Sequence, residues 1–321
     1  MKAAVLYQFG TPPRYDDFPD PVPADGTQLL INVKAAAVKN LDKGRASGLH
    51  YARHEKLPDV VGIDGVGTLS DGQRVYAPGI TGMIAEKALI EADRYVPVPD
   101  ALDDIMAAAL PNAVLGSAMA LKFRAGLQQG NTVLVNGATG VTGQVAVQIA
   151  RHFGAARVIA TGRNPGGLKR LKELGVDEVI SLEEDITARI REIHKNTPID
   201  VVIDYLWGPP AEKILDAVKG GGLHRFTSRL RYVTVGAMAG ESISLPSSIL
   251  RSSAIEILGS GIGSISKEDM RKLQTQILPE MFQLAAEGKL KIATQTADLK
   301  DIETAWNAKI TSGERLVIRT V

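Results

Sequence analysis

Three glycines, Gly137, Gly140 and Gly143, follow directly on the apolar residues Val133, Leu134 and Val135. That spacing suits phosphate chemistry. One glycine permits a tight strand-to-helix turn, a second lets backbone approach a pyrophosphate, and a third lets helix and strand pack closely. The helix that follows offers unpaired N–H groups and its positive dipole end to the anion. Asn136, Ala138, Thr139, Val141 and Thr142 complete the turn and join the glycines as candidate phosphate contacts. Twenty residues beyond Gly143 stands Arg163, between Gly162 and Asn164, with no Asp or Glu beside it. An acid there holds a ribose 2′-hydroxyl, whereas an arginine accommodates a 2′-phosphate. The sequence therefore predicts NADPH over NADH, with Gly162, Arg163 and Asn164 at the adenosine end. The plain alternative for Arg163 is a solvated loop arginine. Glycine triplets arise by chance in a chain with 32 glycines, so the weight lies in the context.

For the turn to work, strand and helix must surround it. Val141, Val145, Ile149 and Phe153 recur every fourth residue, which predicts a helix with one apolar face, and Gly154 is its C-terminal cap. From 131 to 260 the pattern alternates. Strands are predicted at 132–136, 157–161, 178–181, 200–204, 230–235 and 254–259, with helical spacing at Leu168/Leu171 and Ile186/Ile190/Ile193. Six strands separated by helices imply an α/β fold with a doubly wound parallel sheet and a ligand at the carboxyl ends of its strands. Gly236 and Ala237 follow the fifth strand and would approach the cofactor with backbone. Trp207 follows the fourth, as a substrate-lining candidate or a core residue. Residues 220–228 read as a surface loop.

The first hundred residues read as β-rich. Leu29, Ile31, Val33 and Ala35 alternate with Asn32 and Lys34, and short strands are predicted at Val60 to Thr68 and Arg74 to Ala77. A helical pattern through Ala101 to Leu110 is interrupted at Pro111. Another helix lies near 266–287, and Leu316 to Arg319 is strand-like. At 321 residues two domains are expected, 1–115 with 266–321 and 116–265 between them.

Composition narrows the chemistry. Hydrophobic residues at 45% and charged residues at 23% are those of an ordinary globular protein. A net charge of +1 gives no support for nucleic-acid or membrane-surface binding, which want a concentrated basic field. Nothing in the sequence reads as a membrane span, and Met1 to Leu6 lacks the apolar length of a secretory signal, so the cytoplasm is the expected compartment. The absence of cysteine excludes disulfides, thiolate nucleophiles and every cysteine-ligated metal site. His50 and His54 are four apart with Glu55 adjacent, but no third histidine is near. Tyr51 to Pro58 reads as a solvated polar loop, and no metal site is predicted.

Longer stretches carry a family resemblance. They are Ala37-Val38-Lys39-Asn40-Leu41-Asp42 with Ser47-Gly48-Leu49, Val60 to Gly67, Asp71 to Val75, the Gly137–Gly143 turn, Tyr232 to Gly236, and Gly313 to Ile318. With these the chain resembles the medium-chain dehydrogenase/reductase superfamily, in its zinc-free quinone oxidoreductase (zeta-crystallin-like) branch, over essentially its whole length. The resemblance implies a GroES-like β-rich catalytic domain and a Rossmann domain. Zinc-dependent relatives carry a cysteine and a histidine at the positions matching Lys39 and Ile63, and a four-cysteine lobe that this chain lacks. The implied reaction is zinc-independent hydride transfer from NADPH to a quinone or other electron-poor carbonyl or enone acceptor. Alternatives are an α,β-unsaturated carbonyl (ene) reductase, or a non-catalytic NADPH-binding redox sensor or crystallin-like structural protein. A short-chain dehydrogenase/reductase is disfavoured, because some 130 residues precede the turn and no tyrosine has a lysine four residues later.

The resemblance also places candidate catalytic groups. Lys39 falls near the nicotinamide, where a desolvated ammonium would disfavour the cationic oxidised ring and hydrogen-bond a substrate carbonyl. Asp42 and Asp64 would fix it. A purely structural Lys–Asp pair is the alternative. Tyr51 and His50 follow a turn that borders the substrate cleft in relatives, and either would donate a proton or hold a substrate oxygen. Asn40, His50 and Trp207 are the substrate-facing candidates. Departures are Lys39 for an asparagine, Asn40 for a proline, Ala118 and Met119 where aromatics are common, and Gly167 and Leu182 where a lysine and a tyrosine help hold adenosine. Relatives commonly dimerise through an edge strand, and the apolar edge Ala254 to Leu258 implies a homodimer here.

Overall fold

The parallel sheet forms where the strand–helix alternation predicts it. In the computed structural model, which describes residues 1–49, 52–221 and 227–320, the chain divides into two compact units. One is Met1–Pro111 with Gln274–Val321 and the other is Asn112–Leu273.

The second unit holds six parallel strands, Thr132–Asn136, Arg157–Gly162, Glu178–Ser181, Val201–Asp204, Leu230–Thr234 and Ile255–Gly259. Numbered along the chain, their spatial order is 3-2-1-4-5-6. The order reverses between the first strand and the fourth, and that switch point is where such sheets leave a crevice for ligands. Asn136 lies opposite Asp204 at its edge. Sheet residues Leu134, Ile159, Val202 and Tyr232 bury one face with Ile190, Ile193, Ile214 and Leu215 of the crossover helices. Apolar runs such as Val201-Val202-Ile203 reflect a sheet covered on both faces.

The first unit is built around the long strand Gln28–Val38. It pairs antiparallel with Asp64–Thr68, with Lys87–Glu91 and with the closing strand Glu314–Arg319, where Leu316 faces Val38. A separate three-stranded sheet joins Arg14–Asp17, Lys2–Leu6 and Asp59–Val60. Ile31, Val33, Ile84, Ile90, Trp306 and Ile318 lie in its core.

Two expectations are corrected. Pro111 does not interrupt its helix, which runs from Asp104 to Ala118 and continues as a π-helical turn over Met119–Arg124. Proline removes one N–H and crowds the carbonyl four residues earlier. That residue is Ala107, and Ala107 to Leu110, Ala113 and Val114 are all buried, so packing holds the helix across the defect. The continuous stretch Asp104–Arg124 is also long and apolar enough to cross a membrane by length and composition, contrary to expectation. Its apolar window is 67% buried within the protein, as in a core helix.

Candidate functional site

The glycine turn leaves the first strand at Asn136 and enters the helix Val141–His152. Gly137 has a φ of 81°, open to glycine at little cost, and a Cβ there would lie 2.7 Å from Leu206 Cγ. Gly143 packs on the backbone of Ala138, where a Cβ would come within 2.5 Å. At Gly140, by contrast, a Cβ would meet nothing within 4 Å. Gly140 is the N-cap and supplies no capping side chain, so the first-turn amides of Val141, Thr142 and Gly143 are left for an external acceptor. An open, uncapped helix start of this kind suits a pyrophosphate.

At the adenosine end, Arg163 stands exposed one residue past the strand Arg157–Gly162. Asn164 caps the next helix, its Oδ1 accepting from Gly167 N at 2.8 Å, which commits the oxygen and leaves the amide NH2 free of that role. Thr139 fills the corner between Gly162 and Gly167. Arg170, on the same helix, is tied by Nε to Gln144 Oε1 at 3.0 Å, and the Gln144 amide donates to the Thr139 carbonyl.

Beneath the turn lies a polar network that the sequence did not single out. Thr161 Oγ1 accepts from Gly137 N at 3.1 Å and donates to Asn136 Oδ1 at 2.6 Å. Asn136 Nδ2 donates to Asp204 Oδ1 at 2.7 Å. The fully buried Asp204 carboxylate also accepts from Tyr232 OH at 2.7 Å, from Leu206 N at 2.8 Å and from Trp207 N at 3.1 and 3.2 Å. Burial pushes its pKa up, and the four donors pull against that. Among the described residues Trp207 is the one non-glycine residue with positive φ, at φ 54° and ψ −157°. Glycine tolerates this region; other residues pay about 1–3 kcal/mol. The half-buried Trp207 indole packs edge-on against Tyr232 and onto the core beside it. Tyr205 OH lies 3.2 Å from Ser117 Oγ, and Gly236 N and Val235 N both reach the Asp204 carbonyl. Gly236 and Ala237 are half-buried just past the fifth strand.

In the first unit the structure gathers Lys39, Asp42 and Asp64 in one buried cluster. Lys39 caps the helix Asn40–Ser47, its N donating to Asp42 Oδ2 at 2.8 Å, while Ile63 N donates to Asp42 Oδ1. The Lys39 ammonium reaches Asp64 at 2.8 Å, the Ala37 carbonyl at 2.9 Å and Asp42 at 3.2 Å. Two of its N–H donors are thus hydrogen-bonded to protein acceptors, and Asp42 adds an ion pair. Burial opposes the charge, but Asp42 and Asp64 outweigh it and hold Lys39 above the ordinary lysine range. Two further members were not anticipated. Tyr76 is pushed well above the usual tyrosine range by burial and by its hydrogen bond to Asp64. Burial lowers the Arg315 pKa against the pull of Asp64 and Asp42, and its Nε has no hydrogen-bond partner.

Asn40 is exposed at the start of its helix. His50 and Tyr51 lie outside the described residues, as does most of the predicted loop at 220–228. The solvated-loop reading fails at His54, which is buried with Nδ1 2.6 Å from Asp59 Oδ2. Asp204 left one trace in the sequence, a lone acid ending an apolar strand. Tyr76 and Arg315 left none, because strand pairing brings them to Lys39.

Known proteins match this picture. Residues 141–278 match the family described as zinc-binding dehydrogenase, a segment that contains neither Lys39 nor Ile63. A probable NADPH-dependent quinone reductase of Emericella nidulans is 30% identical, over 99% of this chain and 99% of that protein. The 2-methylene-furan-3-one reductase of Solanum lycopersicum is 34% identical over 61% of this chain and 53% of its own. The quinone oxidoreductase of Thermus thermophilus, also solved in complex with NADPH, superposes with a TM-score of 0.79 over the whole of both chains at 27% identity. With a doubly wound nucleotide fold, a β-rich unit and a full-length relative in hand, the chain belongs to the medium-chain dehydrogenase/reductase superfamily, as an oxidoreductase of its quinone oxidoreductase-like group.

Proposed function

We propose that the protein is an NADPH-dependent, zinc-independent reductase that delivers hydride to a quinone or another electron-poor carbonyl or enone acceptor. The turn at Gly137–Gly143 carries this reading, with its uncapped helix start, the open space at Gly140 and Arg163 just beyond. NADPH bound there supplies the hydride. Asn136 to Gly140 shape the turn, the first-turn amides of Val141, Thr142 and Gly143 hold the phosphates, and Gly162, Arg163 and the Asn164 amide meet the 2′-phosphate. Gly236 and Ala237 meet the nicotinamide side with backbone.

The donor set supports zinc independence. The chain has no cysteine, and the positions that the resemblance matches to zinc ligands hold Lys39 and Ile63. Among the described residues no three His, Asp or Glu side chains gather to hold a metal. The acceptor must then stabilise its own anion, as quinones and enones do. Lys39, held by Asp42 and Asp64, acts as a fixed positive charge, and any proton comes from elsewhere, with Tyr51 and His50 the candidates and Asn40 at the substrate side. The ligand is a small molecule. A net charge of +1 favours neither nucleic acid nor membrane and suits a cytoplasmic enzyme. The strand Ile255–Gly259 is paired on one side, and its other edge supports a homodimer.

A second reading, reduction of an activated carbon–carbon double bond, is favoured by the name of the tomato relative. Oxidation of NADPH and NADH against a panel of quinones and enones tests both. Turnover is expected with NADPH and at least one acceptor class. Tight NADPH binding with no turnover on any acceptor would defeat the reductase reading.

A further inference from the structure

We propose that Asp204 is a positioning residue for the dinucleotide. Its one buried carboxylate clamps the glycine turn to the loop Tyr205–Trp207 and holds Trp207 in a conformation it would not otherwise adopt. The inference rests on the dinucleotide reading of the turn and adds a residue that makes no contact with the ligand.

The geometry is that of a keystone. Asp204 ends the fourth strand, directly across the switch point from Asn136. On one side its Oδ1 holds Asn136 Nδ2, and Asn136 in turn accepts from Thr161, which accepts from Gly137 N. The first amide of the phosphate turn is therefore three hydrogen bonds from Asp204. On the other side the carboxylate accepts from Leu206 N and Trp207 N and so bends the chain back sharply. That bend seats Leu206 against Gly137, where a Cβ would be 2.7 Å from Leu206 Cγ. The same loop braces the segment after the fifth strand, since Ala239 N donates to the Leu206 carbonyl at 2.7 Å and a Cβ on Gly236 would lie 2.8 Å from the Tyr205 carbonyl. One carboxylate thus fixes both backbone segments assigned to the cofactor.

Two features set this apart from ordinary core packing. Among the described residues no cation stands beside this buried carboxylate, which makes it an expensive way to tie a loop, since burial opposes its charge. The residue it ties is strained, and strain that persists in a well-packed fold collects where geometry serves a ligand. A glycine at 207 would adopt the same turn without help. Asparagine at 204 would not replace aspartate, because it has one acceptor oxygen and an NH2 group facing donors.

The test is a double-mutant cycle read by isothermal titration calorimetry of NADPH, with a thermal melt of each variant. Asp204→Asn is expected to raise the NADPH Kd about tenfold or more. Trp207→Gly alone is expected to bind within about threefold of wild type, and added to Asp204→Asn it restores most of the lost affinity, because the loop no longer needs to be forced. A purely structural carboxylate would lower the melting temperature and leave the Kd unmoved, or the two losses of affinity would add. Either result overturns the proposal. If Asp204→Asn does not fold, Tyr232→Phe removes one donor while keeping the charge. It is expected to weaken NADPH binding about threefold or more, and unchanged binding overturns the proposal there. A wild type that fails to bind NADPH overturns the dinucleotide reading itself, and this inference with it.

Discussion

The two units each bury ionised groups, and they neutralise them in opposite ways. Around Lys39 the charges answer one another, two carboxylates against an ammonium and a guanidinium, and the ammonium lies within 3.2 Å of both carboxylates. Around Asp204, among the described residues, a single carboxylate is met by neutral donors alone, Asn136, Tyr232 and two backbone amides. The first arrangement keeps Lys39 charged above its ordinary range, and the second pushes Asp204 toward its neutral form. The lesson concerns function. A charge-balanced ion cluster holds a scaffold in register, whereas a lone acid among amides sets the path of a loop. Lys39 between two aspartates, which reads as catalytic chemistry in the sequence, is also the centre of a buried ion cluster.

The contrast breaks first at Lys39. Lys39→Met leaves Asp42 and Asp64 buried against each other, and removing one partner of a buried pair costs about 3–5 kcal/mol. Chemical denaturation should show a loss of that size. The pH dependence has a definite sign. A lysine raised on folding contributes stability that is fully present below its unfolded value near 10.5 and lost as pH rises through the folded value. Tyr76, raised well above the 10.0 of an unfolded tyrosine, slopes the same way. Wild-type stability should therefore fall on the alkaline side, and the Lys39→Met variant should fall less steeply there. Equal slopes would mean that Lys39 is not the charge that the cluster holds.

The second unit should break by volume before it breaks by charge. A Cβ at Gly162 would sit 2.3 Å from Thr139 Cγ2 and 3.3 Å from Leu168 Cδ2. Gly162→Ala is expected to cost about 1–3 kcal/mol by overpacking. Thr139→Ser deletes the offending methyl and should recover most of that in the double variant, as read by thermal melts. A loss that Thr139→Ser does not reduce would place the strain in the backbone instead.

How far the sequence foretold these regions depends on how local the signal is. The strand-and-glycine pattern at 131–143 is local, so the parallel sheet and its turn were legible, with strand ends within one residue. Pro111 was misread, because its penalty is local while the burial of Ala107 to Leu110 that overrides it is tertiary. Lys39, Asp42 and Asp64 were legible as partners through the family resemblance, although the helix Asn40–Ser47 was not. Arg315 was not, because it reaches them only through the pairing of Leu316 with Val38 across the closing strand. Asp204 was passed over for a similar reason. Its donors come from two different strands and a reversed loop, and the one local clue to strain, a tryptophan before Gly208, is invisible without the backbone angle.

Arg163 tests whether the open end of the turn reads a 2′-phosphate. Arg163→Asp is expected to lower the ratio of kcat/KM for NADPH over NADH by about tenfold or more, since the acid would favour a free 2′-hydroxyl. Retained NADPH preference would shift the role to Arg170, which Gln144 already holds beside the turn.

The smallest effect, and the finest cut through the comparison, belongs to Arg315. If charge balance alone held the first unit's cluster, removing either cation would be equally harmful. Arg315 is held differently from Lys39. Burial lowers its pKa despite both aspartates, and its Nε has no partner, so the fold stabilises its charged form less than water does. Lys39 shows the reverse balance, with three close acceptors. Arg315→Met keeps the length and apolar stem of the side chain and removes a charge that the fold resists. It should cost about 1 kcal/mol or less, because replacing a poorly satisfied buried ion with an apolar group of similar size is often close to neutral. A loss as large as that of Lys39→Met would show that the guanidinium carries half of the neutralisation, and that the cluster is a true quartet.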